Sequence, residues 1–264
     1  MKKTLILLTL IINLTIAENY SLNFEGCDWC DDYVDFGNNL DMGNNSFSYA
    51  MWVKMNSVNV DWQQNILSKG ITGGGSPSNT GYKLSMLPNQ RSIKATISSG
   101  DDESGGAINI YTESVEIGDW NHVCVVVDRQ TDTMKIYLNG EIQDTGDISS
   151  IGNINNNGHL HLGNQYWPDT GQNAAVLDGR IYLFSMWDSA LSDVEVLSVS
   201  NNEFDLLDEN LMGLWQFNEG QGNYIIDSRG ENNGQIFGAT WDNDYPVLGC
   251  IDELAANYNE EANI

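Results

Sequence analysis

The segment LGNQYWPDTGQN, residues 162–173, sets Tyr166 and Trp167 between the amide of Gln165 and the carboxylate of Asp169, with Pro168 stiffening the turn. Such a group suits a sugar ring, which stacks on an aromatic face and hydrogen-bonds to polar groups beside it. The alternative is that Trp167 folds back over the edge of the fold as an apolar plug, since tryptophan is a mostly buried residue. A second segment, FNEGQGNYIIDSRGENNG, gathers Glu219, Asp227, Asn232 and Asn233 in a glycine-rich stretch. Oxygen ligands at irregular spacing in a tight loop suit calcium. The same residues can also close a turn through Asx-type hydrogen bonds with no ion.

Other chemistry is less well provided for. Cys27 and Cys30 form CDWC without the strand-to-helix setting that a redox motif needs, and zinc would want a second pair of ligands. A local disulfide or two thiols remain. His159 and His161 share one strand face by alternation, and no third ligand is apparent, so zinc is not expected there. They are expected to face solvent while Leu160 and Leu162 pack inward. A retaining glycosidase requires two carboxyl groups about 5 Å apart. No strand carries such a pair, and there is no nucleophile elbow, zinc-protease helix or phosphate loop. A non-catalytic protein is expected, with a glycoside hydrolase fragment as the less favoured alternative.

The elements that must position these residues are mostly strands. FSYAMWVKM (47–55), NHVCVVVD (121–128) and TMKIYLNGEI (133–142) have strand periodicity, and Asn139-Gly140 is a strong hairpin turn. Further runs fall at 82–87, 92–97, 107–112, 159–163 and 179–187, separated by Gly-, Asn- and Ser-rich connectors. One stretch, SALSDVEVLSV, is helical, with Ser192 as N-cap and Glu195 three residues on. The pattern predicts an all-β, antiparallel jelly-roll β-sandwich with one short helix. Trp52, Trp120, Trp187, Trp215 and Phe217 are expected in its core.

The ends and the charge bound the setting. Two lysines, an apolar run from Leu5 to Ile12 and Ala17 before Glu18 have the layout of a secretory signal peptide over 1–17. No later apolar stretch is long enough to span a membrane, so a secreted or cell-surface protein is expected. Eleven basic against 37 acidic residues give a net charge of −26, which disfavours nucleic acid as a partner. The sandwich is expected to occupy 18–246. The polar segment 247–264 reads as an appended piece cut short, with further domains expected beyond it.

YSLNFEG, DDYVDFG, FSYAMWVKM, IGDWNHVCVVVDRQTDTMKIYLNGEI, LDGRIYLFSMWDSALSDVEV and GLWQFNEGQGNYIIDSRG, in that order, resemble the concanavalin A-like superfamily, specifically its laminin G-like jelly rolls. MWDSALS is similar to the pentraxin branch. The resemblance implies a binding module for a polysaccharide or glycoprotein surface, or else an adhesive, protein-binding domain of a larger surface protein. It places Asn79 on the same face as the Tyr166–Trp167 loop, gives Asp227 a part in holding a structural calcium, and leaves Cys124 as a free buried thiol. The tail resembles a short repeat of bacterial surface proteins in which a second cysteine follows the position of Cys250.

Overall fold

The computed structural model describes residues 19–26, 31–57, 63–70, 80–87, 89–100, 106–167, 172–174, 176–249 and 259–262, with backbone alone at 166, 167 and 172–174. Two antiparallel sheets form a jelly-roll sandwich around one apolar core. The first runs β10 (Glu141–Asp147), β9 (Thr133–Leu138), β8 (Trp120–Asp128), β3 (Phe47–Met55), β14 (Asp178–Trp187), β1 (Ser21–Glu25), β18 (Thr240–Asp242), with β15 (Leu211–Trp215) also paired to β14. The second runs β16 (Tyr224–Ile225), β17 (Gly234–Phe237), β2 (Tyr33–Asp35), β11 (Leu160–Leu162), β4 (Gln64–Lys69), β5 (Thr80–Leu87), β6 (Ser92–Ser99), β7 (Ala107–Ser114). A separate two-stranded ribbon joins β12 (Gln165–Trp167) to β13 (Gln172–Ala174).

Local chemistry accounts for the main joints. Asn139 and Gly140 both take positive φ, 51° and 82°, as the tight turn between β9 and β10 requires. α1 (Asp193–Ser200) starts at a capping box in which Ser192 and Glu195 satisfy each other's backbone N–H groups. It lies against the outer side of the first sheet, where Tyr137 donates to Asp193 at 2.7 Å and Trp52 Nε1 donates to Asn202 at 2.9 Å. That cover explains why β8 is buried along nearly its whole length. Burial pushes His122 on this strand down to about 3, so it is a neutral core side chain.

The five expected core aromatics are all buried, and Phe184 stacks on Trp215 with ring centroids 4.7 Å apart. Past β18, Asp244 accepts from Trp120 Nε1 at 3.0 Å and from Lys54 Nζ at 2.8 Å, and Tyr245 and Leu248 pack against the core. Cys124 is a free, buried thiol, as the family resemblance implied.

Candidate ligand-binding face

Alternation along β4, β5 and β6 sends Leu67, Leu84, Met86, Ile93, Ala95 and Ile97 into the core. The other face of the second sheet is therefore polar. Strand register aligns Asp35, His161, Ser68, Lys83, Thr96 and Asn109 in one row across six neighbouring strands. Most of this row has little contact with solvent: His161, Ser68, Lys83 and Thr96 are all buried. An aromatic run closes one end. Phe237 stacks on Tyr33 with centroids 4.7 Å apart, and Tyr33 lies over His161 at 4.9 Å.

A second line of contacts runs beside the row. Lys94 Nζ donates to Gln63 Oε1 at 2.5 Å, and Gln63 Nε2 donates to Asn65 Oδ1 at 3.2 Å. Ser85 donates to the same oxygen at 3.0 Å, and Asn65 Nδ2 donates to Gln165 Oε1 at 3.3 Å. Ser68 donates to the Asn164 carbonyl at 2.9 Å, while His161 Nδ1 lies 2.9 Å from Asn164 Oδ1. The buried Asn164 Nδ2 has no hydrogen-bond partner among the described residues. Buried polar groups are nearly always paired, so this one is notable.

Two cations stand on this face of an acidic protein. Burial first, then the neighbouring charge of Lys94, brings the Lys83 ammonium down to about 8. Burial also lowers Lys94. An ammonium held in a water-poor place at such a cost is well suited to a ligand oxygen, above all an anionic one.

The described residues of the segment 162–173 include two short strands. Residues 165–167 form β12, which pairs with β13 in the register Tyr166↔Asn173 and Trp167↔Gln172. Gln165 ties the ribbon to the polar face through Asn65. Asn79, Asp169, Cys27 and Cys30 lie outside the described residues, as do the side chains of Tyr166 and Trp167.

Glu219, Asp227 and Asn232 do come together at one turn, through backbone hydrogen bonds. Asp227 Oδ1 accepts from the N–H groups of Leu214 at 3.0 Å and Arg229 at 2.9 Å, and Oδ2 accepts from Asn232 N–H at 3.2 Å. Glu219 Oε1 accepts from Ile226 N–H at 2.9 Å, and Asn233 Oδ1 from Asp227 N–H at 3.0 Å. Asn232 contributes its carbonyl to Trp215 Nε1 at 2.7 Å. Three N–H donors aimed at one carboxylate satisfy an anion internally. These bonds give the turn the Asx-type form, while the buried Glu219 Oε2 beside it has no hydrogen-bond partner among the described residues.

His159 is exposed, as expected, but His161 differs from the sequence expectation. His161 does not face solvent: it is buried under Tyr33 on the polar side of the sheet, while Leu160 and Leu162 fill the core as expected. A third potential ligand is also present, because β2 pairs with β11 and sets Asp35 directly opposite His161. His159 Nδ1 lies 3.0 Å from each Asp35 oxygen, and His161 Nε2 lies 3.6 Å from Oδ1. Burial tends to raise the Asp35 carboxyl, but the adjacent imidazoles of His161 and His159 and the Gly37 N–H overcome it and hold the group well below the usual carboxylate range. No local pattern in the sequence marks Asp35, since the triad depends on a strand pairing between distant segments.

Residues 28–197 match a laminin G model of the concanavalin A-like lectin/glucanases superfamily, and the chain belongs to that family. Among curated proteins it is similar to human pentraxin-related protein PTX3, with 25% identity over 175 residues covering 64% of this chain and 42% of the relative. Among solved structures it is similar to a proposed carbohydrate-binding protein of Bacteroides ovatus (TM-score 0.65, 19% identity, 88% of this chain and 62% of that one). It is also similar to the native heptameric SAP-like pentraxin of Limulus polyphemus (TM-score 0.58, 16% identity, 84% and 95%). The chain thus spans under half the length of the curated relative.

Proposed function

We propose that this protein is an exported, non-catalytic binding module that takes a polysaccharide or glycosylated surface on the outer polar face of its second sheet. The carrying observation is the row from Asp35 to Asn109, which places one polar side chain from each of six strands on a shared, partly dehydrated surface. Hydroxyl-rich ligands need many donors and acceptors at fixed spacing, and the aromatic end at Tyr33 and Phe237 offers an apolar surface beside them. Membership of the lectin/glucanase superfamily supports the ligand class. The β12–β13 ribbon forms the margin of the site, with Gln165 fixed to the sheet and Tyr166 and Trp167 following it. Asn79 is assigned to the same margin by resemblance, and Asp169 by its place two residues after Trp167.

A second reading, adhesion through protein contacts, draws on the other side of the molecule. There Val194, Leu197, Leu206 and Leu207 are exposed, Leu207 at 86%.

The test is a titration of the chain against neutral and acidic polysaccharides, followed by tryptophan fluorescence with calcium and with chelator. Saturable binding that weakens at least tenfold in Trp167→Ala, with an unchanged unfolding midpoint, is the expected result. Absence of binding to every glycan, alongside capture of a protein partner lost in Leu207→Asp, would favour adhesion.

A further inference from the structure

The cluster of Asp35, His159 and His161 has the geometry of a metal site rather than only that of a hydrogen-bonded pair. One potential ligand atom from each residue lies within 4.8 Å of the other two. Tetrahedral coordination with bonds of about 2.0–2.1 Å spaces ligand atoms about 3.3 Å apart. The two distances that define the cluster, 3.0 Å from Asp35 to His159 and 3.6 Å from Asp35 to His161, bracket that spacing. Small side-chain shifts would admit an ion between them.

The surroundings orient the ligands. Asn164 Oδ1, 2.9 Å from His161 Nδ1, favours the tautomer that keeps a proton there and leaves Nε2 on the Asp35 side as the ligand nitrogen. Gly37 N–H donates to Asp35 Oδ1 at 2.7 Å and fixes the carboxylate. The Tyr33 ring holds the buried imidazole from one side. His159, by contrast, has its side chain 49% exposed, so the cluster opens to solvent there and a further ligand can complete the coordination.

We propose that Asp35, His159 and His161 bind a divalent transition cation with borderline nitrogen and oxygen preference, for which zinc is the probe. Two imidazoles with one carboxylate suit zinc and its neighbours, whereas calcium wants oxygen ligands throughout. The net charge of −26 raises the local concentration of cations of any kind, so the discrimination comes from the imidazoles. Asp35 and His161 belong both to this cluster and to the polar row of the second sheet, and zinc binding can be measured with no glycan present.

The test is calorimetric titration of the full chain with zinc, after alkylation of accessible thiols and in excess calcium to occupy exposed acids. One saturable site is expected, weakened at least tenfold in His159→Ala and in Asp35→Asn, and unaffected by Glu141→Gln on the exposed side of β10. Cobalt in place of zinc is expected to give a tetrahedral visible spectrum that His159→Ala removes. His159 is exposed, so this variant keeps the test valid if Asp35→Asn fails to fold. No saturable zinc binding, or zinc binding undiminished in His159→Ala, would overturn the assignment.

Discussion

Asp35 and His159 are 124 positions apart in the chain, yet His159 Nδ1 stands 3.0 Å from both oxygens of the Asp35 carboxylate. The contact exists because β2 and β11 are neighbours in the second sheet. Removing the carboxylate takes away the acceptor of Gly37 N–H and the charged neighbour of the buried His161, and a lost buried polar partner costs roughly 1–3 kcal/mol. Asp35→Ala is therefore expected to lower the urea midpoint clearly. His159→Ala, at an exposed position, is expected to stay within about 0.5 kcal/mol of the parent. Equal effects from the two would contradict this asymmetry.

Lys83 gives a pH signature. Its amine titrates at about 8 in the folded protein because of burial and then Lys94. An unfolded lysine titrates near 10.4, so folding disfavours the protonated form. The resulting destabilisation is fully present below about pH 8 and fades as pH rises toward 10.4. Lys83→Met is expected to be more stable than the parent at neutral pH, by up to about 3 kcal/mol, with the advantage shrinking over that window. Denaturant titrations at three pH values check the sign. A constant difference at every pH would remove the charge from the explanation.

Asp227 holds its turn by accepting three backbone N–H groups. Asp227→Ala orphans all three, the Leu214 N–H in a buried place and the other two in part-buried ones, and a loss of about 2–3 kcal/mol is expected. Because those donors already satisfy the carboxylate, chelator is expected to leave the parent's thermal midpoint unchanged. A midpoint that falls on chelation and recovers specifically with calcium would return the ion to this turn.

Cys124 is expected to resist alkylation in the native protein. Burial pushes its thiol up, far from the thiolate form that reacts. Peptide mapping after iodoacetamide treatment should find Cys124 unmodified until denaturant is added. Modification under native conditions would mean that β8 opens locally.

Much of the scaffold was legible because its signals are local. Asn139-Gly140 fixes a hairpin from two residues, and Ser192 with Glu195 fixes a helix start from four. Alternation in SIKATI and YKLSML also shows which side chains leave the core. Alternation is silent about which strands lie side by side, and so the row from Asp35 through Lys83 to Asn109 could not be assembled from the chain alone. The same limit hid the third member of the histidine cluster. The aromatic loop was noticed for its composition, but its link to the sheet runs through Gln165 and Asn65, a hydrogen bond between segments 100 residues apart. At Asp227 the sequence left calcium and an Asx-type turn as alternatives, because both use the same oxygen-rich residues. The positions of the N–H groups, which only the strand pairings fix, show the Asx-type bonds.

The most direct test of the glycan reading is the affinity of Lys83→Met for whichever polysaccharide the parent binds. This variant is expected to fold more stably at neutral pH, so weaker binding could not be blamed on unfolding. A loss of at least tenfold in affinity, with the thermal midpoint raised, is the result that placing the ligand on the polar face of the second sheet requires. Binding equal to that of the parent would put the ligand elsewhere on the molecule.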